Sequence, residues 1–365
     1  MLNYLKKEKV LSISWILAIV TMFLIRPDKE YIEYIDVRVL ALLFCLMLVV
    51  KGFQNIGLFD VLIQKAFGGV KKSRRLAQML ILLCFFLSMV ITNDVALITF
   101  VPFAILALKL CRQEKIMIQV IVLQTIAANL GSMFTPIGNP QNLYLFSVSE
   151  MGLLEFFGTM LPITVVSLVL ILLATLLIPN EEIQIKIDEE VDATEKKELI
   201  VYSVLFILSL LVVFRVLEWI PVLLITILIV LLVRKGGLLK QVDYALLLTF
   251  VGFFIFVGNL GRIPWFSNLL QQIISGREVL VAALFSQFLS NVPAALLLSG
   301  FTKNFAGLLL GTNIGGLGTL IASMASLISY KLYAEEEGAQ KGRYMAVFTL
   351  YNVIGLIILL LFVAL

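Results

Sequence analysis

The sequence predicts an all-α polytopic membrane protein, and three observations carry that prediction. Hydrophobic residues make up 61% of the chain and charged residues only 14%, against about 25% charge in soluble globular domains. Apolar runs that reach or approach the roughly 20 residues of a bilayer crossing recur along the chain, among them 199–214, 220–233, 245–260 and 346–365. Other apolar runs are interrupted by polar residues, Gly and Pro, and each interruption in the first half has a counterpart in the second. No soluble domain is left over: the longest polar stretch, 180–198, is a linker too short to bury a core of its own.

The net charge of +4 comes from short basic clusters between apolar segments. That pattern carries topology and points to a lipid bilayer, with no nucleic acid as partner. The chain contains no His, which removes the commonest general base and metal ligand. Cys45, Cys84 and Cys111 match no zinc or redox spacing and are expected to be inert fillers. The basic start and apolar run of residues 1–25 are followed by Arg26 and Pro27 rather than a small-residue cleavage site, so a retained first helix is expected.

Taken in order, the chain divides into two halves with one plan. In residues 1–179, crossings within 10–51 are followed by an amphipathic interfacial arm at 52–69, a re-entrant hairpin at 76–110, an interrupted helix at 116–147 and a helix at 152–179. The cytoplasmic linker 180–198 follows. In residues 199–365 the crossings lie within 199–260, the second arm at 261–278, the second hairpin at 279–303, the second interrupted helix at 304–333 and the last helix at 346–365. Placing the N-terminus in the cytoplasm and the C-terminus outside puts 21 of the 28 Lys and Arg residues inside and 7 outside, as the positive-inside rule asks of a protein of the cell membrane. About nine full crossings and two re-entrant hairpins result. Arg215 and Glu218 read as a surface pair at the outer end of their helix, and Lys303 as the outer end of the second hairpin.

Setting Asn93 against Asn291 superposes the hairpins, with Thr92 on Ser290 and Ala96 on Ala294. Setting Asn129 against Asn313 places Gly131 on Gly315, Thr135 on Thr319, Gly138 on Ala322, Asn139 on Ser323 and Asn142 on Ser326 without a gap. An added crossing at 199–218 turns the second half upside down, which gives the inverted repeat of secondary transporters. Gly and Pro are frequent in membrane helices, and Asn and Thr hold helices together, so one such residue says little. Four polar interruptions at matching positions say more, because backbone freed inside hydrocarbon is tolerated only where it is buried in protein or lines a cavity.

Candidate binding residues are therefore Thr92, Asn93, Asp94, Asn129, Gly131, Thr135, Pro136, Gly138 and Asn139 in the first half. In the second they are Ser290, Asn291, Pro293, Asn313, Gly315, Thr319 and Ser323. Side-chain oxygens beside freed carbonyls suit a small hard cation such as sodium, at Ser88, Asn93 and Gly131 and at Ser286, Asn291 and Gly315. Freed N–H groups at half-helix N-termini suit an anion. Asp94 reads three ways: a cation ligand, a proton carrier or an N-terminal cap of its helix. No cofactor is called for beyond the coupling ion, Na+ or H+.

With ITNDVALITFVPF and NLGSMFTPIGNPQN in one half and LSNVPAALLLSGF and GTNIGGLGTLIASMAS in the other, the chain resembles the ion transporter superfamily. That group holds divalent-anion/sodium symporters, citrate transporters, NhaD-type sodium/proton antiporters and arsenite permeases, and the resemblance covers essentially the whole chain. It implies an elevator-type transporter, in which hairpins and broken helices slide as one body against scaffold helices that often form a homodimer. The symporter branch carries Ser-Asn-Thr at each tip, where this chain has Thr92-Asn93-Asp94 and Ser290-Asn291-Val292. Cation-coupled transport of a small anion is the leading expectation, with a sodium/proton antiporter or arsenite permease as the alternative. An intramembrane enzyme lacks paired acids or a nucleophile with a base, and a non-transporting scaffold or receptor leaves the matched interruptions without a role.

Overall fold

The computed structural model describes residues 9–58, 71–183, 196–234 and 237–364, and among them every regular element is helical. The first half holds α1 (Lys9–Leu24), α2 (Val37–Asn55), α3 (Ser73–Ile91), α4 (Asn93–Leu110), α5 (Met117–Ser132), α6 (Pro140–Val148) and α7 (Leu153–Thr175). The second holds α8 (Lys196–Val213), α9 (Trp219–Arg234), α10 (Tyr244–Gly261), α11 (Pro264–Ile274), α12 (Glu278–Leu289), α13 (Asn291–Ser299), α14 (Phe305–Ile314), α15 (Met324–Ala334) and α16 (Lys341–Ala364).

Local chemistry sets the starts. Asp36, Asn139, Asp243 and Asn304 each cap a helix by accepting the N–H of the residue three further on, which satisfies one donor a helix start leaves free. Pro140 and Pro264 occupy first turns, where their missing N–H costs nothing. Burial then sorts the helices. In Glu114–Ser132, which contains α5, 83% of the apolar window is buried, against 17% in α16. The first is the centre of the molecule and the second turns its apolar residues outward.

Each hairpin clasps the first part of its own broken helix, α3 and α4 on α5 and α12 and α13 on α14. The second parts cross over: α15 packs on α4, and α6 packs on α13. Helices α8, α9 and α10 gather around α2, and α1 lies along α10.

The segments placed together by charge meet. Lys115 pairs with Glu181, and Lys109 with Glu336. Ser73 N–H donates to Glu181 O and Ile183 N–H to Lys71 O, both at 2.9 Å, so the linker starts beside the hairpin's open end. Hydrogen bonds from Lys115 and Gln113 hold the Glu181 carboxyl below the usual range. Elsewhere Arg262 reaches Asp28 at 2.7 Å and Glu30 at 3.4 Å. Its hydrogen bonds with Tyr34 and Asp28 push the guanidinium further above its ordinary value.

Several expectations need correcting. Residues 52–55, assigned to the first interfacial arm, continue α2, which ends where Gly57 takes a φ of 69°; residues 59–69 of that arm lie outside the described residues, as do 184–195 of the linker. Among the described residues seven helices are long and apolar enough to cross a bilayer, or up to eight if one bent pair is a single span. Val10–Leu24 and Trp219–Leu232 are apolar but shorter. Both arms of the first hairpin are among the seven, whereas α12 and α13 have 12 and 9 residues. The second arm is helix α11, set at 114° to α12.

Candidate functional site

The interruptions are narrower than the sequence implied. Only Thr92 stands between α3 and α4, and only Ser290 between α12 and α13. Thr92 has φ 73° and ψ 151°, Ser290 φ 78° and ψ 155°, a region that residues other than Gly occupy at a cost of about 1–3 kcal/mol each. The surroundings hold the strained tips in place. Asn93 N–H donates to Gly138 O at 3.1 Å and Asn291 N–H to Ala322 O at 2.9 Å, so each tip is bonded to the break of its own broken helix at positions the sequence alignment paired. Asn93 Oδ1 accepts from Asp94 N–H and Asn291 Oδ1 from Val292 N–H. Thr135 donates its hydroxyl to Met89 O, and Thr319 to Gln287 O at 2.9 Å.

The breaks themselves run from 133 to 139 and from 315 to 323. Asn129 and Asn313 lie in the last turn of the helices before them. Asn93 Nδ2 donates to Asn129 Oδ1 at 3.0 Å, and the same oxygen accepts from Ser323 Oγ at 3.0 Å. Asn139 Nδ2 donates to Asn313 Oδ1 at 3.0 Å, while Asn313 Nδ2 donates to Asn142 Oδ1 at 2.6 Å and to Leu309 O at 2.7 Å. All of these side chains are buried. Candidate residues from the two halves thus share one hydrogen-bonded layer, and in Asn139 and Asn313 the amides are engaged with each other.

Other candidates sit around this layer. Ser88 and Ser286 are fully buried and donate to carbonyls of their own helices, which leaves oxygen lone pairs available. Gly131 is where α5 meets α3: a Cβ there would strike Phe85 O and Ser88 Oγ, as one at Gly315 would strike Ala283 and Ser286. Thr135 and Thr319 staple hairpin to break from outside the layer. Pro136 and Pro293 are buried, the latter in the first turn of α13.

A cavity of about 230 Å³ opens on the first tip, lined by Thr92, Asp94 and Asn139 and by Lys51 of α2 and Asp243 at the start of α10. Among the described residues no donor reaches the Asp94 carboxylate, so it does not cap α4. Lys51 donates to Gln54 Oε1 at 2.9 Å, whose amide donates to Thr99 Oγ1 at 3.1 Å. Asp243 accepts from Leu246 N–H. Lys51 and Asp243 escaped the sequence reading because they come from elements distant in the chain; a lone Lys closing an apolar run was the only signal.

Arg215 is not paired with Glu218. It donates to the carbonyls of Phe146, at 2.7 Å, and Ser149, and stands 5.1 Å from the Phe146 ring centroid, closing the end of α6.

A model of the family described as citrate transporter matches residues 6–309. The uncharacterized transporter MJ0456 of Methanocaldococcus jannaschii is 34% identical over 351 residues, which cover 96% of this chain and 95% of that protein. The inner membrane protein YbiR of Escherichia coli K12 is 33% identical over 83% of this chain and 82% of its own length. The human P protein matches at 34% identity over 132 residues, 34% of this chain and 15% of that one.

Proposed function

Because the chain belongs to the citrate transporter family, we propose that it is a secondary active transporter that moves a small anion across the cell membrane, coupled to Na+ or H+. The observation that carries this reading is the arrangement of four helix starts, Asn93, Pro140, Asn291 and Met324, in pairs at the tips and breaks around one buried polar layer. N–H groups at such starts carry partial positive charge and favour an anion. Neutral oxygens beside them, Ser88 Oγ and the carbonyl of Gly131 in the first half, fit a sodium ion.

The two halves form an inverted repeat in this reading. Support comes from direction: α15 runs from its break toward Glu336 beside Lys109, while α6 runs from its break toward Ser149 beside Arg215. Hairpins and broken helices, tied together by the asparagine layer, move as one body against a scaffold of α1, α2 and α8 to α10, with α11 as a connecting arm and the scaffold as the dimer face. The cavity beside Asp94 lies along that sliding surface.

One observation favours a second reading, cation or proton exchange. Asp94 and Asp243 face the same cavity with Lys51 as the cation beside them, a poor setting for an anion alone. Uptake into proteoliposomes from a panel of carboxylates and oxyanions, under imposed Na+ or H+ gradients, separates the two. Saturable anion uptake that needs one gradient is expected. Cation exchange without an anion requirement would replace the first reading by the second, and a folded protein with neither flux would refute both. Asp94→Asn is expected to lose flux with a displaced pH profile if the carboxylate carries the proton.

A further inference from the structure

The asparagines around the first break are satisfied by one another and by freed backbone. Asn142 Nδ2 donates to Met133 O at 2.9 Å and to Thr135 O at 3.0 Å, and Asn139 Nδ2 donates to Ser132 Oγ at 3.1 Å as well as to Asn313. Gln141 stands between them and does neither. It is 2% exposed, its Oε1 is buried without a partner, and among the described residues its side chain makes no hydrogen bond. The other buried amides with an unpartnered oxygen all employ their nitrogen: Gln113 on Glu181, Gln124 on Leu80 O and Phe100 O, Asn259 on Thr21 and Asn352 on Phe348 O.

Burying an amide with nothing bonded to it is costly, and a polar group left this way calls for a role. The fold does not ask for it. At the matching position of the second half, one residue beyond the helix start Met324, stands a fully buried Ala325. Tyr144, one turn further along α6, bonds Ser299 of α13 at 2.8 Å, and residues three apart share a helix face. Gln141 therefore lies on the side of α6 that packs on α13, one turn nearer the break. Helix α13 begins at the second tip, where Val292 carries no polar side chain. Asn139 and Pro140, just before Gln141, line the cavity beside Asp94.

We propose that Gln141 selects the transported anion: its carboxamide binds an anion that carries a hydrogen-bond donor of its own, an O–H or N–H, and discriminates against anions that carry acceptors alone. The inference rests on the anion-transport reading above and names its substrate class. The direction of the preference follows from the atom left over. A carbonyl oxygen accepts and cannot donate, so a donor-free anion leaves Gln141 Oε1 as unpaired as before, whereas a hydroxyl, an acid O–H or an ammonium satisfies it. The N–H₂ of the same amide remains to bond a ligand oxygen. A site built to hydrogen-bond a substrate group rejects the analogue lacking that group far more strongly than an apolar pocket rejects an added one.

Uptake by the full-length protein in proteoliposomes, measured with matched anions that differ in one donor, tests this: propionate against lactate, succinate against malate and aspartate, sulfate against hydrogen phosphate. In the wild type the donor-bearing member of the transported series is expected to show a kcat/KM higher by about tenfold or more, and the member that wins separates hydroxyl, ammonium and acid O–H as the source. Gln141→Met, of similar length without the amide, is expected to erase the preference by raising KM for the donor-bearing anion. Its thermal unfolding midpoint is expected not to fall, because an unbonded buried amide gives way to an apolar chain. Equal uptake of donor-bearing and donor-free anions by the wild type would overturn the proposal whether or not the variant folds. A preference that survives in Gln141→Met would put the selectivity in other residues and overturn it as well. A folded wild type that moves no anion would remove the transport reading and this assignment with it.

Discussion

At Gly131 the helix α5 lies so close to α3 that any side chain meets the backbone carbonyl of Phe85. Backbone has less freedom to yield than a side chain, so Gly131→Ala is expected to destabilise by about 1–3 kcal/mol and to displace the first hairpin. Gly152→Ala, with nothing within 4 Å of the new Cβ, is the control; equal thermal unfolding midpoints for the two variants would refute the argument. The asparagines divide by their partners. Asn313→Ala leaves Asn142 Oδ1 without its side-chain donor and Asn139 Nδ2 with Ser132 Oγ alone in a buried layer, and each unsatisfied group costs about 1–3 kcal/mol, so a lower unfolding midpoint is expected. Asn291→Ala removes one acceptor for Val292 N–H and is expected to lose flux with a smaller loss of stability. Wild-type flux in Asn93→Ala and Asn291→Ala would exclude the tips from the site. These positions were legible in the sequence because polar residues at matched spacing inside apolar runs need a reason. Lys51 and Asp243 were not, since they reach the cavity beside Asp94 from elements distant in the chain.

The helices show where reading by pattern stops. Apolar runs located the elements, and the strained single-residue tips at Thr92 and Ser290 fell at the expected polar interruptions. Their extent did not, because Asn93, Asp94 and Pro293 join the following helices at first-turn positions where a missing intrahelical donor is tolerated. The continuation of α2 to Asn55 likewise depends on packing: Gly52 lies against the ring of Tyr202 in α8, a contact across 150 residues of chain. Arg215 is the clearest case at this scale. From sequence it is one charge near Glu218; in the fold it joins the α8–α9 turn to the last carbonyls of α6. Hydrogen bonds to charged groups are worth about 1.5–3 kcal/mol, and Arg215→Gln is expected to lower the unfolding midpoint accordingly, with Arg215→Lys in between. A Gln variant as stable as the wild type would show that α6 ends without this contact.

For the whole molecule, charge placed the segments 71–75, 109–115 and 180–183 and the region after α15 on one face, and the Lys115–Glu181 and Lys109–Glu336 pairs bring those segments together. What charge alone leaves open is whether the second hairpin opens to the other face, since Arg277 and Lys303 are sparse markers. The inverted-repeat reading fixes the outcome. In a cysteine-free background, with the buried Cys45, Cys84 and Cys111 replaced, single cysteines at exposed Glu114 and exposed Lys303 are expected to react with a membrane-impermeant maleimide from opposite sides of sealed vesicles. Labelling of both from one side would make the halves parallel. The helix starts at the two tips would then point the same way through the bilayer, and the single body carrying a site between opposed half-helices would lose its geometric basis.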